Sequence, residues 1–156
     1  MIAIAIFVPL AVALITFVVM RDRRRFRVIA TSRPPADLEA FSHDLADLNL
    51  PEEYLRIIFE TFQSLASGVK QFPVQADDSL LDVYEIDDRS SPIFDRLDNV
   101  VDLVIEDILE KTHCQLNPAL FPENVKLPIR HTVRDVARFV AVCHGIVPYS
   151  GLFPHA

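Results

Sequence analysis

The sequence predicts an all-α protein in which one N-terminal transmembrane helix precedes a small bundle of three to four helices. Two observations lead to this fold class. Residues 1–20 carry no charged side chain and run directly into the arginine-rich residues 21–27. Most later segments repeat their apolar residues at intervals of three and four, which is the spacing of an α-helix. No segment alternates apolar and polar residues for long enough to predict a strand.

The apolar residues 1–20 have the length of one membrane span. About 20 residues, each rising roughly 1.5 Å, cross a hydrocarbon core of about 30 Å. Because arginine-rich flanks stay on the cytoplasmic side, residues 21–27 predict a single-pass membrane protein with its N-terminus outside and its C-terminal domain in the cytoplasm. A cleaved signal peptide is the weaker alternative, since no basic region precedes the apolar residues.

Residues 21–35 are predicted to be a basic, proline-containing linker. Pro34 and Pro35 disfavour the helical conformation of the residues before them. Residues 31–35 should therefore form a stiff, extended tether that separates the membrane from an acidic helical domain at residues 36–146. Residues 147–156 form a short C-terminal tail.

The first part of the domain contains three predicted helical segments. Residues 37–48 place leucine and phenylalanine at helical spacing and predict a short amphipathic helix. Residues 51–70 predict a longer helix, because Pro51 suits a helix start and Glu52 and Glu53 suit the positive end of the helix dipole. After a loop, residues 78–86 predict a brief helical turn.

The second part contains two further helices. Residues 92–112 combine a buried apolar stripe with an acidic outer face, which carries Asp95, Asp98, Asp102, Glu106, Asp107 and Glu110. Residues 117–130 contain three prolines and predict an irregular connection. Thr132 and Asp135 form a capping-box pattern at the start of the last helix, and Gly145 and Pro148 predict its end.

The charge distribution limits the classes of partner. From residue 34 onward the chain has nine Lys and Arg against 21 Asp and Glu, a net charge of −12. This charge disfavours nucleic acid and favours a protein with a basic surface patch, whereas contact with the membrane falls to residues 1–27. The chain has only three glycines and no glycine-rich phosphate loop.

No pattern in the chain predicts an active site or a metal centre. His113-Cys114 and Cys143-His144 have the residue types of a zinc site, but adjacent helical residues point about 100° apart and rarely bind one ion. We therefore expect no metal and no catalytic residue. The sequence favours a protein that is not an enzyme.

The order of the segments resembles an acyl carrier protein across about residues 51–144. Three stretches carry the resemblance: Asp-Ser-Leu-Leu-Asp-Val at residues 78–83, Asp-Asn-Val-Val-Asp-Leu-Val at residues 98–104, and Thr-Val-Arg-Asp-Val at residues 132–136. In that family, a serine within Asp-Ser-Leu at the start of the acidic helix carries a 4'-phosphopantetheine arm. The resemblance therefore implies an acyl-carrier-like bundle and directs attention to the serines of this chain.

Two serines could correspond to the modified serine of the family. Ser79 lies in a literal Asp-Ser-Leu, but it comes only about ten residues after the preceding predicted helix. Ser91 lies at the expected place before the acidic helix, but no Asp-Ser-Leu surrounds it. The resemblance thus implies a scaffold without the prosthetic group and, as an alternative, a cofactor on Ser91.

These observations favour a membrane-anchored, non-catalytic interaction module. Its acidic helix is expected to dock on a basic partner surface through Asp95, Asp98, Asp102 and Glu106. One alternative is a phosphopantetheine-dependent acyl carrier at the membrane. Another is a small structural subunit of a membrane complex, in which the span itself makes the contact.

Overall fold

The described part of the protein is helical. The computed structural model describes residues 2–35, 37–66, 69–86, 97–113 and 132–146, with side chains from residue 12 in the first range and from residue 99 in the fourth. Within these ranges there are six α-helices and no strand, so the all-α prediction is confirmed for them. The helices are α1 (Ile2–Thr31), α2 (Leu38–Asp44), α3 (Glu52–Leu65), α4 (Leu80–Tyr84), α5 (Leu97–Thr112) and α6 (Val133–Cys143).

Helix α3 lies at the centre of the domain. It packs against α2, α5 and α6. Its apolar residues recur at helical spacing, so that Ile58 and Phe62 are fully buried while the first turn presents Glu52 and Glu53 to solvent. The helix ends at Leu65, which is earlier than the predicted residue 70.

Helix α6 is the most completely buried helix among those described. Thr132 Oγ1 accepts a hydrogen bond from the backbone amide of Asp135, and the Asp135 carboxylate accepts one from the amide of Thr132, so the predicted capping box is confirmed. Gly145 adopts a positive φ of 68°, and the amides of Gly145 and Ile146 bond back to Val142 and Ala141. This is the Schellman arrangement that glycine favours at a helix end.

The other predicted helical segments agree with the structure where it describes them. Residues 37–48 form α2 and a 3₁₀ turn at Ala46–Leu48, and the predicted helical turn at residues 78–86 is α4. Helix α5 ends at Thr112 as predicted, whereas residues 92–96 of the predicted helix lie outside the described residues. The irregular connection at residues 117–130 and the tail at residues 147–156 also lie outside them.

The linker predicted at residues 21–35 is helical over its first part. Helix α1 continues without interruption through the arginine-rich residues to Thr31, and Phe26 is buried against the domain. The extended tether predicted at residues 31–35 therefore begins where α1 ends, and one apolar residue of the basic stretch is buried in the core. Within the described residues, no helix combines the length and apolar character needed to cross a membrane.

Candidate functional site

The C-terminal part of α1 is attached to the domain by aromatic packing. The ring of Phe26 lies 5.3 Å from that of Phe72 in an edge-on arrangement and 6.2 Å from that of Tyr84. Phe72 is itself fully buried in the loop before α4. The direction in which α1 leaves the domain is thus set by core contacts.

The arginines of α1 divide into two groups. Arg21 donates to the Glu85 carboxylate at 2.8 Å, and Arg25 forms an ion pair with the same carboxylate. Arg23, Arg24 and Arg27 are exposed, and they form no ion pair with any residue that the structure describes. Two of the five cations in residues 21–27 are therefore used to hold α1 against the end of α4.

Arg33, which lies two residues after the end of α1, forms a second connection to the domain through Asp78. The guanidinium makes two contacts with the Asp78 carboxylate, at 3.0 and 2.7 Å, and also donates to the carbonyl of Pro73. The backbone amide of Gln75 donates to Asp78 at 3.0 Å. Since only 2% of the Asp78 side chain is exposed, this paired geometry satisfies a charge that would otherwise be buried without compensation.

Tyr84 completes the cluster around Asp78. Its hydroxyl lies 3.4 Å from the Asp78 carboxylate, and its ring packs on Phe62 at 5.2 Å. Burial raises the pKa of Tyr84, and the negative charge of Asp78 raises it further. The phenol therefore stays protonated and remains a donor across the ordinary range of pH.

Ser79 has a structural role in this region. Its hydroxyl accepts a hydrogen bond from the amide of Asp82 and so caps α4, and its backbone pairs with Thr132. The residue before it is the buried Asp78, and the residue after it, Leu80, is fully buried. The literal Asp-Ser-Leu of the sequence is thus a helix cap flanked by two buried side chains.

The outer face of α5 is acidic with an apolar residue at one edge. Asp102, Glu106 and Glu110 are exposed, and Leu103, which is 40% exposed, lies beside them around the helix axis. The three carboxylates form no ion pair with the residues that the structure describes. This surface, which we call the α5 face, combines three exposed carboxylates with one exposed apolar side chain at its edge.

Asp107 does not belong to the α5 face, although its position in the sequence predicts an outward carboxylate. It is half-buried, accepts a hydrogen bond from the Thr61 hydroxyl at 3.1 Å and lies 3.7 Å from the Lys111 ammonium. The prediction was wrong because α3 covers this edge of α5. Asp107 therefore joins the two helices and is not free for a partner.

The remaining predicted site residues are only partly covered by the structure. Ser91 and Asp95 lie outside the described residues. Asp98 belongs to α5, one turn before Asp102, but its side chain is not among those described. The structure thus places Asp102 and Glu106 together on one exposed face and leaves the other three positions as predictions.

The sulfur and imidazole groups at the end of α6 have distinct surroundings. Cys143 is fully buried, and burial raises the pKa of its thiol to about 11. The ring of His144 packs on that of Tyr54 at 4.7 Å, and burial lowers the pKa of His144. Across the described residues no group of His, Cys, Asp and Glu could hold a metal ion, and Cys114 lies outside them.

The apolar stretch ahead of the arginines projects from the domain. Every residue from 12 to 20 is exposed, including Phe17 at 67% and Met20 at 66%. Nine consecutive exposed residues, eight of them apolar, are far more than an isolated soluble domain usually presents on one segment. This segment therefore presents a continuous exposed apolar surface.

The sequence analysis did not find the residues that attach α1 to the domain. Phe26 gave a weak signal, as the single aromatic residue within a run of arginines. Arg33, Asp78 and Glu85 gave none, because two residues that lie 45 positions apart, such as Arg33 and Asp78, are paired only by the tertiary fold.

Comparison of the chain with protein-family models, with curated proteins and with solved structures finds no match. The resemblance to an acyl carrier protein consequently stays a prediction from the order of the helices.

Proposed function

We propose that this protein is a membrane-anchored, non-catalytic interaction module whose α5 face docks on a basic surface of a partner protein. The observation that carries the proposal is the composition of that face. Asp102 and Glu106 are exposed and without ion pairs among the described residues, and Leu103 lies exposed beside them. Asp95 and Asp98 extend the same acidic surface in the sequence.

Two physical arguments support docking of a partner at the α5 face. Carboxylates that are not held by internal cations can pair with lysine or arginine on a partner, which speeds and selects the encounter. An exposed leucine beside the carboxylates can contribute the apolar contact that charges alone do not supply. Asp107 differs from the carboxylates of the α5 face, because it already accepts a hydrogen bond from Thr61 of α3.

The exposed apolar residues 12–20 support the anchoring part of the proposal. These side chains leave water when they enter a hydrocarbon layer. Burial of each apolar side chain of this size is favourable by roughly 1.5–3 kcal/mol of free energy. The arginines that follow would stay at the cytoplasmic surface. The module is then a single-pass protein with its helical domain in the cytoplasm, bound to the membrane through residues 1–27.

The docking hypothesis is tested by neutralising the acidic helix. The full chain is isolated from its native membranes in mild detergent without crosslinking, and captured proteins are compared between wild type and the variant D98N/D102N/E106Q. We expect the variant to lose the partner, and we expect capture by the wild type to fall as the salt concentration rises, because exposed charges are screened.

The matched control is the variant E39Q/E53Q/D82N, which removes three exposed carboxylates from α2, α3 and α4. It should retain the partner, since its total charge equals that of the first variant while the α5 face is intact. Capture that is insensitive to salt, or equal loss of the partner in both variants, would show that the α5 face is not the docking surface.

Two other functions are distinguished by simple measurements. A phosphopantetheine-dependent carrier requires a gain of mass on co-expression with a phosphopantetheinyl transferase, and Ser91→Ala should abolish that gain. A small structural subunit, which makes its contacts through the span, should lose its partners when residues 1–20 are exchanged for an unrelated span. The docking module keeps its partners in that exchange.

A further inference from the structure

We propose that Arg23, Arg24 and Arg27 form a binding site for the headgroups of anionic phospholipids. The site lies on α1 where the exposed apolar segment ends and the domain begins. This inference rests on the membrane anchoring that we propose above, and it names the class of lipid that the anchored protein recognises.

The three arginines share one side of α1. At 100° per residue, Arg27 lies 40° from Arg23 around the helix axis and Arg24 lies 100° from it, so the three span about a quarter of the circumference. All three are exposed. Their guanidinium groups can therefore face one layer of phosphates together.

The opposite side of α1 is occupied by the domain. Arg21, Arg25 and Phe26 fall in that sector, where the two arginines bind Glu85 and the ring of Phe26 is buried. Glu85 thus neutralises part of the charge of Arg21 and Arg25 and leaves the other three cations free for an external anion. The structure therefore separates the arginines that bind Glu85 from those that face outward, although the sequence gives all of them the same pattern.

The surroundings of the site fit a lipid surface. Met20 lies in the same sector of α1, one turn before the arginines, and is 66% exposed. A guanidinium binds a phosphate with two parallel hydrogen bonds, which an ammonium cannot do. Three such groups follow the apolar Met20 side chain within about two helical turns, which matches the change from acyl chains to headgroup phosphates.

The site also has an electrostatic role that follows from the net charge of the chain. The region from residue 34 onward carries a net charge of −12, so an anionic membrane surface repels it. Arg23, Arg24 and Arg27 attract the anionic surface, and they do so only where the apolar segment of α1 meets the domain. Because Phe26 and Arg33 fix α1 to the domain, this attraction also sets how the domain stands on the membrane.

The test measures lipid selectivity of the full chain. The protein is reconstituted into vesicles of equimolar phosphatidylcholine and phosphatidylglycerol, and spin-labelled forms of each lipid report by electron paramagnetic resonance which one is immobilised at the protein. We expect the wild type to prefer phosphatidylglycerol by at least about threefold, and we expect R23Q/R24Q/R27Q to lose the preference.

The matched control is R56Q/K70Q/K111Q, which removes three exposed cations from elsewhere in the domain and should keep the preference. Resistance of the protein to carbonate extraction is measured in the same vesicles. Extraction of the wild type would contradict the membrane anchoring and, with it, this inference. A wild type that resists extraction but shows no preference, or a preference that R23Q/R24Q/R27Q retains, would overturn the lipid site alone.

Discussion

Replacing Arg33 with methionine should destabilise the protein more than any other removal of a single cation from the described residues. The substitution keeps an unbranched side chain of similar reach and removes the guanidinium. Asp78 then keeps only neutral donors, namely the amide of Gln75 at 3.0 Å and the hydroxyl of Tyr84 at 3.4 Å.

The expected magnitude follows from burial. The Asp78 side chain is 2% exposed and that of Arg33 is 18% exposed. Removing one partner of a buried ion pair costs roughly 3–5 kcal/mol, because the other charge stays buried without compensation. Since Arg33 keeps some contact with water, we expect a value near the lower end, about 3 kcal/mol. A folded domain has only about 5–15 kcal/mol of stability, so this loss is large.

The assay is urea unfolding of the full chain in detergent micelles, followed by far-ultraviolet circular dichroism. Arg134→Met is the matched control, because Arg134 also pairs with two carboxylates, those of Asp77 and Asp47, at 3.0 and 3.1 Å. Both of its partners are exposed, so its loss should cost no more than about 1 kcal/mol.

Two results would refute this reasoning. The first is a loss of stability in Arg33→Met that does not exceed the loss in Arg134→Met. The second is the absence of coupling in a double-mutant cycle with Asp78→Asn, because removing the carboxylate should recover most of the cost of losing Arg33.

Two further predictions concern the attachment of α1 and the ionisation of Tyr84. Phe26→Ala should lower the free energy of unfolding by about 3 kcal/mol in the same urea assay, because it empties a buried aromatic site. The control Val28→Ala, which changes an exposed side chain on the same helix, should leave it nearly unchanged, and equal effects would contradict the packing argument. Since the pKa of Tyr84 is raised in the folded state, the unfolded state loses its proton first, and stability should fall as the pH rises above about 10. Tyr84→Phe should flatten this decline in urea unfolding measured across alkaline pH, whereas an unchanged slope would show that Tyr84 does not cause it.

Local sequence patterns predicted the helices well. The capping box at Thr132 and Asp135, the positive φ at Gly145 and the short helix after Ser79 are each decided within a few residues, so the sequence contains the required information. The buried face of α3 was also predictable, because its periodic apolar residues have one consistent direction.

The candidate surfaces were predictable only in part. The exposure of Asp102 and Glu106 follows from the amphipathic pattern of α5, whereas the inward position of Asp107 depends on α3 lying against that edge. The roles of the arginines depend even more on tertiary packing. Nothing in residues 21–27 distinguishes Arg21 and Arg25, which bind Glu85, from the three arginines that do not.

The sequence by itself determined the helical class, the positions of most helix ends and the concentration of charge, because these depend on residues close together in the chain. The tertiary structure decided which charges are used internally. Arg33 binds Asp78 across 45 residues, and Glu85 binds Arg21 across 64, so only the packed domain brings these partners together. The basic linker predicted at residues 21–35 is helical as far as Thr31 and is fixed to the core, because Phe26 and Arg33 contact partners that lie far along the chain.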